Sequence, residues 1–216
     1  MSKNFKGYLG DQIGKLGTAV GRKWKRKMVY SAYQGRVRNP RSEKQLLVRA
    51  RFTELVRLAS GLHGALQVGL KTYAYQRKET ERNSFMRLNY AAIGGTEPGE
   101  LTVGYEELML SFGSLPGVQF GTAVFETPME VTVPLTVANV GVGHAVAADA
   151  VYLAAYCPDL GSGTVSDGTA RRSDGSVTLK VPAAWQGQKV HVYGFVASAG
   201  AYGPSETVYI GFGTIA

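Results

Sequence analysis

The chain has 216 residues, of which 44% are apolar and 19% charged, and a formal net charge of +8. That length buries a full core without metal or disulfide, and the composition excludes a disordered or coiled-coil protein. The single Cys157 excludes an intramolecular disulfide, and there is no run of about 18 apolar residues for a membrane span.

The N-terminal Met1-Ser-Lys-Asn-Phe-Lys-Gly has no apolar stretch ending in a cleavage site. Export by the usual route is therefore not expected, and the expected location is the cytoplasm or a virion assembled there. Residues 1–94 carry +15 and residues 95–216 carry −7, which reads as two segments with different partners. Composition changes at the same place: Gly94-Gly95-Thr96-Glu97-Pro98-Gly99 is a breaker cluster, and β-branched residues dominate after it. The expected division is a basic, Gly-rich arm at 1–41, a helical module at 42–95 and a β-sandwich at 96–216.

Gly7, Gly10, Gly14, Gly17 and Gly21 recur at spacings of three and four. On a helix they would form a bare seam, but each interior glycine costs about 1 kcal/mol relative to alanine. The spacing therefore predicts an arm that enters a short β-hairpin, in which Leu16 to Val20 pair with Lys27 to Tyr33 across Gly21-Arg22. Of the twenty residues from Arg22 to Arg41, eight are cationic and none is acidic. Arg22, Lys23, Lys25, Arg26, Lys27, Arg36, Arg38 and Arg41 are the candidate anion contacts, with Trp24 as an anchor and Tyr30 as a second ring on which bases could stack. The same pattern suits nucleic acid, an acidic protein surface, anionic lipid or plain solvation.

Ser42-Glu43-Lys44-Gln45 after Pro40 predicts a capping box and a helix start. Val48, Phe52, Leu55, Ala59 and Leu62 follow as an apolar stripe. Leu66, Leu70 and Tyr73 predict a second helix to about Arg77, and Asn83 is the candidate cap of a third that runs to Gly94. From there the pattern alternates, with strands predicted at 104–112, 118–125, 130–138, 150–156, 176–181, 189–197 and 207–214. Some seven short strands in a row predict an antiparallel, immunoglobulin/fibronectin-III-like sandwich and an α+β chain overall. The stretch from Val192 to Glu206 resembles the last hairpin of fibronectin type III domains.

Read together, several segments resemble an uncharacterised family of about this length that is abundant in Bacteroidota genomes. They are Gly17-Thr-Ala-Val-Gly-Arg-Lys-Trp24, Asn39-Pro-Arg-Ser-Glu-Lys-Gln45, Arg49-Ala-Arg-Phe52, Ser111-Phe-Gly-Ser-Leu115, Arg171-Arg172, Pro182-Ala-Ala-Trp185-Gln-Gly187 and Tyr209-Ile-Gly211. The resemblance implies an architecture and a bacterial or bacteriophage setting, and it lends no catalytic residues.

No enzyme is expected. His63, His144 and His191 have no metal-ligand spacing, and neither a paired-cysteine zinc pattern, a nucleophile elbow nor a phosphate-cradling glycine loop occurs. Cys157 before Pro158 reads as a small buried thiol. Neither a cofactor nor a small-molecule substrate is expected. The functional expectation is a structural or assembly subunit of a large complex, a phage virion in its specific form. Its arm would engage neighbouring subunits, other copies of the chain or nucleic acid. The alternative is a cytoplasmic nucleic-acid-binding protein.

Overall fold

In the computed structural model, the residues described are 3–4, 12–24, 27–36, 39, 41–200 and 202–216, with residues 3, 4 and 137 described by backbone alone. The chain divides between Arg41 and Ser42 into two compact units.

The first unit is an antiparallel meander of β1 (Lys3–Asn4), β2 (Gln12–Leu16), β3 (Ala19–Trp24) and β4 (Lys27–Ala32), side by side in chain order. Of the five spaced glycines Gly14 lies on β2, Gly21 on β3 and Gly17 between them, while Gly7 and Gly10 lie outside the described residues. Leu16 stands opposite Ala19 across a turn at Gly17-Thr18, and Trp24 stands opposite Lys27. The turn predicted at Gly21-Arg22 is thus displaced. Gly21 lies mid-strand between Gly14 and Tyr30, where a Cβ would collide with the Gln12 carbonyl oxygen and sit 3.1 Å from the Tyr30 ring. Close approach of backbone, rather than a turn, requires the glycine.

The second unit begins with α1 (Glu43–Gly61), α2 (His63–Gly69), α3 (Lys71–Arg77) and α4 (Glu81–Leu88). A small hairpin of β5 (Ile93–Gly94) and β6 (Thr102–Val103) follows. Then come β7 (Gln119–Phe120), β8 (Glu130–Val137), β9 (Ala150–Cys157), β10 (Ser162–Val165), β11 (Ser176–Lys180), β12 (Lys189–Ala197) and β13 (Val208–Thr214). One antiparallel sheet has the order β10-β9-β12-β13 and another the order β11-β8-β7. The chain is therefore mixed α+β.

Val151, Leu153, Ala155 and Cys157 of β9, with Val190, Val192 and Val196 of β12, pack against Val131, Val133, Val177 and Leu179 of the three-stranded sheet. On the opposite face Ala154, Tyr156, Tyr193 and Phe195 meet Leu55, Leu58, Leu62, Leu66 and Phe85 from the helices. The four-stranded sheet is the middle of three layers. Burial on both faces explains why β9 and β12 read as nearly unbroken apolar runs. Residues 42–95 and 96–216 accordingly share a core within one compact unit.

Several local expectations shift. Ser42 occupies the cap position of α1, but its side chain makes no capping bond, so the predicted box is not formed; only its carbonyl accepts, from the amides of Gln45 and Leu46. Of the predicted stripe, Leu55, Ala59 and Leu62 are buried while Val48 and Phe52 remain 42% and 45% exposed, because the buried contacts of α1 begin only at Leu55. The predicted second helix is two, α2 and α3. The cap of α4 is Thr80, whose hydroxyl accepts from the Asn83 amide, and the helix stops at Leu88. The predicted strand at 104–112 is an irregular segment: the Asn89 side chain accepts from the Met109 amide and donates to its carbonyl, occupying the backbone groups a neighbouring strand would use. The short β10 was not predicted. Its Gly163 lies under the end of α1, where a Cβ on Gly61 would be 2.9 Å from the Gly161 carbonyl oxygen.

One ion pair is wholly buried. Arg172 Nε donates to Asp149 Oδ2 at 2.9 Å, and the same guanidinium donates to the carbonyls of Pro116 and Ala138. Asp149 also accepts from the amides of Val146 and Ala199. Burial works against its charged form, but those amides and the guanidinium outweigh it and hold the carboxyl below the usual range. The pair ties four loop segments together.

Candidate functional site

The concentration of positive charge lies in the first unit, and strand alternation decides how it is displayed. Residues directly opposite in an antiparallel pair share a face, as do residues two apart on one strand. The register Lys15↔Val20, Val20↔Ser31, Arg22↔Val29 and Trp24↔Lys27 therefore gathers Lys15, Arg22, Trp24 and Lys27 on one face. Tyr33 joins them: its amide donates to the Thr18 carbonyl at 2.7 Å, and the Lys15 ammonium lies 3.7 Å from the centre of its ring. Lys23 and Tyr30 fall on the opposite face, beside Met28 and Gly21.

Among the candidate residues, the sheet thus brings Arg22, Trp24 and Lys27 together and sets Lys23 and Tyr30 apart from them. Arg36 and Arg41 are exposed beyond β4, whereas Lys25, Arg26 and Arg38 lie outside the described residues. Lys15 and Tyr33 were not among the candidates. The Gly17-Thr18 turn carries the signal that could have found them, because a two-residue hairpin there fixes which side chains of β2, β3 and β4 share a face.

Arg22, Lys23 and Lys27 each stand opposite an uncharged residue, Val29, Met28 and Trp24 respectively, so no like charges face each other in these pairs. Trp24, Tyr30 and Tyr33 are about half exposed, at 52%, 54% and 48%. Among the described residues of this unit Gly21 alone is buried. Among the described residues the sheet closes no core of its own.

The second unit gathers its ionisable rings elsewhere. His191 stacks on Tyr105 with centroids 4.2 Å apart, and its Nδ1 is 2.9 Å from the Tyr209 hydroxyl. Burial, followed by the neighbouring Lys189 charge, lowers the His191 pKa to about 4, and burial pushes Tyr156 up to about 12. Tyr193 moves up for the same reason and donates to the Tyr105 carbonyl at 2.8 Å. These groups are held neutral across the physiological range, as packing and hydrogen bonding at the sheet-to-helix layer require. Cys157 is buried between the two sheets. Among the described residues no group of three or more His, Cys, Asp or Glu side chains could hold a metal ion, and no helix is long and apolar enough to cross a membrane.

No curated protein and no solved structure matches the chain. The model of the family of unknown function DUF6266 matches residues 10–211, and the chain belongs to that family.

Proposed function

We propose that this family member is a non-catalytic assembly subunit whose first unit is a docking arm for an acidic partner. The observation that carries the reading is the sheet face on which Lys15, Arg22 and Lys27 stand with Trp24 and Tyr33, in a unit where, among the described residues, Gly21 alone is buried. A flat sheet with exposed faces is marginally stable alone and gains order from what covers it. Trp24 and Tyr33 are separated by six rungs of the β3–β4 ladder, about 20 Å. Neighbouring bases along a strand are about 3.4 Å apart, so the spacing suits a broad acidic surface better than a short run of stacked bases. In its finer form, the assembly is a particle of a bacterium or bacteriophage.

The same proposal extends to the fold class. Seven strands split three and four between facing sheets, with the chain changing sheets after β8, β10 and β11, support an immunoglobulin/fibronectin-III-like arrangement carrying helices on one outer face.

Size-exclusion chromatography with light scattering and an absorbance ratio, before and after nuclease and at about 0.1 M and 1 M salt, tests the function. A nuclease-resistant assembly that dissociates at high salt is expected. A monomer that carries nucleic acid at low salt and loses it to nuclease would replace this reading with the nucleic-acid one.

A further inference from the structure

The reading of the first unit as a docking arm leaves its partner open, and the second unit contains a surface that answers it. β13 is the outer strand of the four-stranded sheet, and among the described residues it pairs only with β12. Its seven residues, Val-Tyr-Ile-Gly-Phe-Gly-Thr, include no charge and no proline, the devices that commonly blunt an exposed edge. Val208 and Phe212 are 39% and 57% exposed.

Segments bearing carboxylates flank this strand on both faces. The short turn Tyr105–Glu107 packs beside β13, with Glu106 close enough to Tyr209 to act on its hydroxyl. On the other face the Phe125 ring lies against Gly213, where any Cβ would strike it, and Glu126 follows directly. Glu206 stands exposed just before the strand. Lys189, over the Phe212 ring at 4.0 Å, is the cation among them.

The arm is the complement in both shape and charge. β4, six residues long, is the outer strand of its own sheet, and residues 1–41 carry eleven Lys or Arg against one acidic residue. We infer that the partner is a second copy of this chain: the arm of one copy adds its β4 edge to the β13 edge of the next, with the arm's cations meeting the carboxylates around β13. Backbone pairing supplies affinity and the charges supply register and rate. The contact joins unlike surfaces, so it propagates head to tail, into a ring or an open filament. This inference rests on the docking-arm reading and names its partner.

Charge reversal tests it in the full chain. Glu106→Lys, Glu107→Lys and Glu126→Lys together form one variant, and Arg22→Glu, Lys23→Glu and Lys27→Glu together form the other. Light scattering is recorded over about 1–100 µM at about 0.1 M salt, after nuclease. Circular dichroism and the thermal midpoint report folding, and the milder set Glu106→Gln, Glu107→Gln and Glu126→Gln serves if the reversal unfolds. The expected result is assembly of the natural chain, association at least tenfold weaker in either reversed variant, an intermediate loss in the neutral set, and recovery when the two reversed variants are mixed. Undiminished assembly of the glutamate variants overturns the β13 site; if the arm variant alone is impaired, the docking arm stands and it meets a different surface of the neighbouring copy. Undiminished assembly of the arm variant overturns both readings. A natural chain that stays monomeric at every concentration overturns the second-copy partner.

Discussion

The two units of this chain hold themselves together by different means. Residues 42–216 carry thirteen Lys or Arg against fifteen acidic residues and close two apolar layers around a central sheet. Residues 1–41 carry eleven against one and bury, among those described, a single glycine. The contrast separates internal from external stabilisation: one unit is ordered by its own packing, and the other spends its side chains on a surface. A substitution should therefore register in unfolding experiments when it falls in the second unit and in association experiments when it falls in the first.

The largest effect is expected at the buried ion pair. Asp149→Ala leaves the Arg172 guanidinium buried without its counter-charge, and losing one partner of such a pair costs about 3–5 kcal/mol. Urea unfolding should show this as a lower midpoint, and Asp149→Leu with Arg172→Met should recover part of it. A loss below about 1 kcal/mol in the single variant would mean that the pair does not tie the four loop segments together.

A matched pair of truncations sharpens the contrast. Leu58→Ala, at a fully buried site between helices and sheet, is expected to cost about 2–5 kcal/mol. Val29→Ala on β4 should change the unfolding of the second unit by less than about 0.5 kcal/mol while weakening assembly. Equal costs in urea would mean that the arm has a core after all.

What could be read from the sequence follows the same division. α1 and the strands β8, β9, β11, β12 and β13 were legible because long periodic or β-branched segments carry their signal locally. β10 was not, since Ser162-Gly-Thr-Val is short and polar and is held in place by Tyr156 and the end of α1. The segment 104–112 read as a strand because its composition alternates, whereas the Asn89 amide, far away in sequence, takes the backbone partners of Met109. The basic stretch at 22–41 was legible as a charge pattern; its division into two faces was not, because that depends on a ladder register in which Gly21 and Arg22 lie mid-strand rather than in the turn that composition suggested. Arg172 gave no signal of burial, since its neighbours Arg171 and Ser173 are exposed and only tertiary partners distinguish it.

A smaller effect is expected from pH. His191 is 8% exposed, and its folded-state pKa is lowered from 6.5 to about 4 by burial and then by Lys189. Between those values the unfolded chain binds a proton that the folded one does not. Its contribution is therefore present above about pH 6.5 and lost as pH falls toward 4, at up to about 1.4 kcal/mol per unit for one proton. Unfolding midpoints measured from pH 7 to 4.5 should decline, and His191→Gln should flatten the decline. An identical slope in that variant would place the titrating group elsewhere in the chain.

The smallest predicted effect lies in the first unit. The Lys15 ammonium over the Tyr33 ring contributes about 0.5–1 kcal/mol at an exposed position, too little to detect in global unfolding. It is detectable locally, because the Tyr33 amide bonds to the Thr18 carbonyl at the end of the same ladder and its hydrogen exchange reports opening there. Lys15→Met should accelerate exchange at Tyr33 by about two- to fivefold and leave the Leu153 amide, bonded to the Ser166 hydroxyl inside the second unit, unchanged. Acceleration at both amides would mean that the units open together, and the contrast drawn between them would fail at its weakest contact.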